Sequence, residues 1–148
     1  MKIKIFALTH KKFEVPQDKM YQPLQVGREG KEDLGYLCDN TGDNISAENC
    51  YYSELTGLYW IWKNVHAYKY VGTCHYRRYL LNEQEKIFTE TEYLELLKDY
   101  DLITTKRVVL NNSYHYGFAT NHNIHALDMT GEVIKELYPE YYDTFVQL

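Results

Sequence analysis

His75-Tyr76-Arg77-Arg78 puts an imidazole, a phenol and two guanidiniums side by side, directly after the apolar run Tyr70-Val71-Gly72-Thr73-Cys74. Guanidinium groups pair with phosphate oxygens through two parallel N–H bonds, and imidazole titrates near neutrality. This combination points to an anionic ligand. If the apolar run is a strand of an α/β sheet, the cluster stands at its carboxyl end, where ligands bind in such folds. Neighbours on a strand face opposite sides, so at most one of the two arginines is expected to point inward.

A second polar group precedes this one. Asp39-Asn40-Thr41-Gly42-Asp43-Asn44 offers two carboxylates, two amides and a hydroxyl around a glycine. Asp39, Thr41, Asp43 and Asn44 suit the hydroxyls of a sugar or ribose, although the same residue types also favour turns. Thr9 and His10 end the first apolar run and are expected beside the ligand, with a solvated turn as the alternative. Glu54 is expected either on the substrate or as a solvated helix residue. Asp99-Tyr100-Asp101 has the form of a metal–diphosphate D-x-D, but it falls at the amino end of the strand expected to follow it. It reads as a helix end and a strand start. His115, His122 and His125 lack helix-facing zinc spacing with a nearby carboxylate. No residues are assigned to a metal.

The elements that must position these groups follow from periodicity. Lys2–Thr9 reads as a strand with both faces buried, as at the centre of a parallel sheet. Residues 13–40, with two prolines and three glycines, show little periodicity; Tyr21–Val26 reads as a short extended piece within them. Tyr51/Tyr52, Leu55, Leu58/Tyr59, Trp62 and Val65 recur at helical spacing and are expected to face the core, with Ser46 or Asn49 as the cap and an end near residues 64–68. Gly72 in the next strand suggests close approach by another backbone or a ligand. Thr89-Glu90-Thr91-Glu92 matches a capping box and opens a helix through Tyr93, Leu96, Leu97 and Tyr100. Asp101–Thr105 is expected as a further strand, with Lys106 and Arg107 leaving it. Residues 111–123 read as a surface loop or acceptor-side lid. A helix through Ile124–Tyr138 follows, weakened by Gly131 and broken at Pro139. Alternation of strands and helices predicts an α/β fold with a mainly parallel sheet flanked by helices.

Composition narrows the function. The 148 residues suit one domain, 1–148. Net charge is −5, with no long basic run, which argues against nucleic acid as the main partner. No apolar run approaches the ~18 residues of a membrane span, and the start lacks a signal-peptide pattern. Three cysteines, without C-x-x-C spacing, read as reduced thiols of a cytoplasmic protein. Sixteen tyrosines supply flat faces with hydroxyls, which suits sugar contacts and core packing alike.

At TGDNIS, YSELTGLYWIWKN and YVGTCHYRRY the sequence resembles a family of bacterial capsular and exopolysaccharide biosynthesis glycosyltransferases, known as domain of unknown function 4422. The likeness extends to ALTHKKF and YQPLQVG near the start and to Val133-Ile134 and YPEY near the end. It implies a GT-A-like (Rossmann-like) α/β fold and transfer from a nucleotide-diphosphate sugar, with a UDP-linked donor expected. The acceptor would be a glycan or lipid-linked glycan, reached in the cytoplasm at the inner face of the membrane by peripheral association. The family's domain is expected to run past residue 148, so the chain is expected to be its N-terminal portion. No D-x-D stands at the usual place, so a divalent metal, manganese or magnesium, is left open as cofactor. Arg77 and Arg78 would then stabilise the leaving diphosphate, with His75 positioning or protonating a phosphate oxygen and Tyr76 beside it. The competing readings are a non-catalytic nucleotide- or glycan-binding module and a structural hub in which His75–Arg78 pair with Glu54 or Asp43.

Overall fold

Residues 3–9 carry apolar side chains toward both faces, and all seven are buried in strand β1 (Ile3–Thr9). β1 pairs in parallel with β2 (Tyr21–Gln25) on one side and β4 (Tyr70–His75) on the other, and β2 pairs in parallel with the two-residue β3 (Leu37–Cys38). The order β3-β2-β1-β4 makes a four-stranded, wholly parallel sheet. The computed structural model describes residues 1–106, 109 and 113–147. The chain divides into two compact units, Met1–Thr105 and Lys106–Leu148.

In the first unit each sheet face has its own cover. Phe6, Leu8, Leu24 and Val26 meet Trp60 and Ile61 of helix α2 (Leu55–Asn64). Ile3, Ile5, Met20 and Tyr21 meet Tyr93 of helix α3 (Glu90–Leu96). Burial of each large side chain contributes about 1.5–3 kcal/mol. The expected capping box opens α3: the Thr89 hydroxyl accepts from Glu92 N–H, and the Glu92 carboxylate accepts from Thr89 N–H. The α/β expectation, a mainly parallel sheet between helices, holds.

Four expectations need correction. The aromatic helix is interrupted: a short 3-10 turn (Ser46–Glu48) leads into α1 (Asn49–Tyr52), and Ser53, at φ 49° and ψ −127°, separates it from α2. Neither Ser46 nor Asn49 caps it by a side chain; Ser46 is committed to Asp39 instead. The apolar stripe also faces the other way. Leu55, Leu58 and Trp62 lie outward, Trp62 at 66% exposure, whereas Thr56, Gly57, Trp60 and Ile61 face the sheet. The reason is contact distance. A Cβ at Gly57 would stand 2.6 Å from Val26 and 3.0 Å from Leu8, so the helix approaches the sheet on its smallest residues. Third, Asp101–Thr105 forms no strand among the described residues; Ile103 docks by its side chain against the Tyr93 cluster. Fourth, the irregular segment 13–40 contributes two strands, β2 and β3, rather than one extended piece.

The second unit is helical. The stretch read as a loop folds instead as α4 (Tyr114–Asn121), because the Ser113 hydroxyl accepts from Tyr116 N–H and caps it. α5 (Ile124–Leu137) is capped by Asn123 and ends before a 3-10 turn at Pro139–Tyr141 and α6 (Tyr142–Val146). Gly131 is buried where a Cβ would meet Phe145 at 3.1 Å, so the glycine that weakens α5 also admits α6. Arg107 lies outside the described residues. No described helix is long and apolar enough to cross a membrane.

Candidate functional site

The carboxyl ends of β1 and β4 meet directly. Tyr76 N–H donates to Leu8 O at 3.1 Å, one step past the β4 ladder. The chain then turns at once, with Arg78 N–H donating to His75 O at 2.8 Å. Arg77 and Arg78 therefore sit in a turn and not on a strand, so strand alternation does not apply, and both are exposed. Among the described residues neither guanidinium has a carboxylate within 4.0 Å, and the Arg77 guanidinium lies over the Tyr76 ring, 5.2 Å from its centre.

His75 is held on both nitrogens. Arg77 N–H donates to Nδ1 at 3.2 Å, which leaves the proton of the neutral ring on Nε2. Nε2 faces Glu54 Oε1 at 3.3 Å. Burial, the largest influence, lowers the His75 pKa; Glu54 opposes it, and the neighbours Arg77, Arg78 and His10 reinforce it. His75 is thus a neutral donor to a carboxylate. Glu54 is the N-cap residue of α2, and the Ser53 backbone delivers it there.

Aromatic rings wall this mouth. His10 meets Tyr76 edge-on at 5.7 Å, and Phe13 lies 5.6 Å from Tyr76 and 5.7 Å from Tyr36. Tyr36 O–H donates to Phe13 O, and its oxygen accepts from Phe13 N–H. Phe13 and Tyr36 escaped sequence reasoning because they sit in the aperiodic segment; their aromaticity within a long loop was the one available signal. Thr9 is buried at the same strand end, but its hydroxyl donates to Lys11 O and accepts from Lys11 N–H, and so shapes the turn that presents His10.

The other residues singled out stand elsewhere. Asp39 follows β3 and is completely buried. Oδ2 accepts from Gly27 N–H and Thr56 O–H, and Oδ1 from Arg28 N–H and Ser46 O–H. It ties the end of β2 to the start of α2. Gly27 is required there, since it has φ 61° and a Cβ would overlap Asn49. Thr41 accepts from Trp60 Nε1. Asp43 accepts from Tyr59 O–H at 3.0 Å, its N–H donates to Asn64, and Lys63 lies 3.9 Å away. Asn44 Oδ1 accepts from Ser46 N–H, and its amide donates to Gly42 O. Asp43 thus lies beside the far end of α2, about 15 Å of helix rise from Glu54. The structure brings together His10, Glu54, His75, Tyr76, Arg77 and Arg78; it does not bring Thr41, Asp43 and Asn44 to them.

A cavity of about 300 Å³ lies elsewhere again, between β4 and residues 101–103 on the α3 side. It is lined chiefly by apolar groups, and burial pushes its Cys74 thiol up to about 12, so no thiolate is available. The strand-end mouth, where Arg77 and Arg78 are exposed, is the better candidate. Of the residues gathered at the mouth only Glu54 carries a carboxylate, and two guanidiniums share the space. That donor set does not suit a divalent cation, which takes several oxygen ligands.

Residues 4–148 match the family described as Domain of unknown function (DUF4422). The chain belongs to the DUF4422 family. Among solved structures the DUF4422 chain is similar to the one described as "WbbM bifunctional glycosytransferase apo structure", at 26% identity and a TM-score of 0.73. The alignment covers 95% of the DUF4422 chain and 30% of the other, so the chain spans less than a third of that protein's length. No curated protein matches it. The DUF4422 chain is a glycosyltransferase-like domain with a GT-A-like sheet.

Proposed function

We propose that this chain binds a nucleotide-diphosphate sugar, with UDP as the nucleotide, and serves its transfer to a glycan or lipid-linked glycan acceptor in capsular or exopolysaccharide synthesis. The observation that carries the reading is the pair Arg77 and Arg78 at the joined ends of β1 and β4, both exposed and without carboxylate partners among the described residues. In sugar transfer from a nucleotide diphosphate the departing group is an anion, and fixed guanidiniums stabilise it through paired hydrogen bonds. The Phe13–Tyr36–Tyr76 wall offers the base a face for stacking, a contact that tolerates any base. His75, neutral and turned to Glu54, orients the carboxylate rather than protonating a phosphate.

The reading of His75–Arg78 as an ion-pair hub has one observation in its favour, the His75–Glu54 contact. Among the described residues it lacks the arginine–carboxylate pairs that would define such a hub. Transfer of isotope-labelled sugar, measured for this chain and for a version extended beyond residue 148, separates enzyme from binding module. Transfer by either form, surviving EDTA, supports the proposal. Uridine diphosphate binding without transfer by either form supports the module.

A further inference from the structure

The charges at the mouth are of two kinds. Arg77, Arg78 and His10 disfavour protonation of His75, and Nε2 of that ring faces the Glu54 carboxylate at 3.3 Å. A diphosphate can sit against the guanidiniums; it cannot sit against a carboxylate. The part of the ligand that meets Glu54 must donate hydrogen bonds and carry no negative charge. Within a nucleotide-diphosphate sugar, the sugar hydroxyls meet that requirement next to the phosphates.

Two features show that Glu54 is placed and not merely present. Ser53 holds φ 49° and ψ −127°, a backbone region that a residue with a side chain seldom enters and that clusters at ligand sites. This residue breaks the aromatic helix in two and sets Glu54 at the first turn of α2. The neutral His75 ring, fixed by the Arg77 N–H on its other nitrogen, then engages Oε1. Oε2 has no hydrogen-bond partner among the described residues, and the Glu54 side chain is 46% exposed.

We infer that Glu54 is the sugar-reading carboxylate of this site: its free oxygen accepts a hydrogen bond from a hydroxyl of the donor hexose, while His75 acts as a positioning residue. The inference rests on the proposed nucleotide-sugar reading and adds to it the residue that discriminates sugar from bare nucleotide. A hydrogen bond to a charged acceptor in a partly desolvated site corresponds to roughly tenfold in affinity.

Calorimetric titration of the full chain with UDP, UDP-glucose and UDP-galactose tests this. The wild type should bind at least one UDP-hexose about tenfold more tightly than UDP. Glu54→Ala should bring the two affinities within about twofold, with UDP itself bound as well or better because a negative charge is gone. Glu54→Gln, which keeps the side-chain shape, guards against a folding defect and should lose most of the preference. His75→Ala should weaken the preference, and His75→Gln, which retains an N–H donor, should restore part of it. Equal binding of UDP and both UDP-hexoses by the wild type overturns the inference, as does a preference that survives both Glu54 variants. Absence of UDP binding by the folded wild type overturns the nucleotide-sugar reading itself, and this inference with it.

Discussion

Glu54 opens a helix and His75 closes a strand, yet Nε2 of one and Oε1 of the other stand 3.3 Å apart. The contact crosses the mouth formed by the ends of β1 and β4 and joins the aromatic helix to the arginine turn. Burial and the Arg77 N–H on Nδ1, working against the pull of that carboxylate, leave the histidine a neutral donor.

That state has a pH signature. The folded-state pKa of His75 lies below its usual 6.5, chiefly through burial. The unfolded chain therefore binds a proton there more readily than the folded chain. The stability linked to this group is fully present above about pH 6.5 and is lost as pH falls toward the lower folded-state value. Urea midpoints of wild type and His75→Gln across pH 5 to 8 should converge at the acid end. A constant difference across that range would show that the imidazole is not held neutral.

The two tryptophans should respond very differently. Trp60 is 6% exposed and meets Phe6 edge-on, and its Nε1 donates to Thr41 O. Trp60→Ala should destabilise by about 3–5 kcal/mol. Trp62, on the outer face, should lose within about 1 kcal/mol on the same change, the range of surface substitutions. Chemical denaturation of both variants measures this; equal losses would contradict the helix orientation.

Asp39→Asn should be costly although it is nearly isosteric. Each carboxylate oxygen accepts from a backbone N–H, one from Gly27 and the other from Arg28. Whichever way the new amide turns, its NH2 confronts a backbone donor, so one buried N–H is left unpaired. The expected loss is about 1–3 kcal/mol, read as a lower melting temperature. An unchanged melting temperature would show that the network is dispensable.

Three local signals in the sequence proved sound. Both-faced burial of Ile3–Thr9, the Thr89–Glu92 capping box and the strand before His75 are local patterns with local causes. The face of the aromatic helix was not readable, because the decisive fact is the approach of Gly57 to Leu8 and Val26, a tertiary contact that favours small residues over the apolar stripe. Asp101–Thr105 carries strand chemistry, but a strand also needs a partner edge, which composition does not reveal. At the site, His75, Arg77 and Arg78 were readable as a cluster after a strand. Glu54 was ambiguous until Ser53 turned the chain. Asp43 and Asn44 carry the right groups for sugar, yet their hydrogen bonds go to Tyr59, Asn64 and Ser46, partners that only folding supplies.

The central claim is that Arg77 and Arg78 clamp a diphosphate. Calorimetric titration with UDP and UMP tests it most directly. The wild type should bind UDP more tightly than UMP by roughly tenfold or more, since the second phosphate adds charge-assisted hydrogen bonds. Arg77→Lys or Arg78→Lys should remove much of that difference, because one ammonium does not reproduce the two-pronged guanidinium, while circular dichroism remains that of the folded chain. Equal affinity for UDP and UMP in the wild type, or a difference untouched by either substitution, would contradict the clamp.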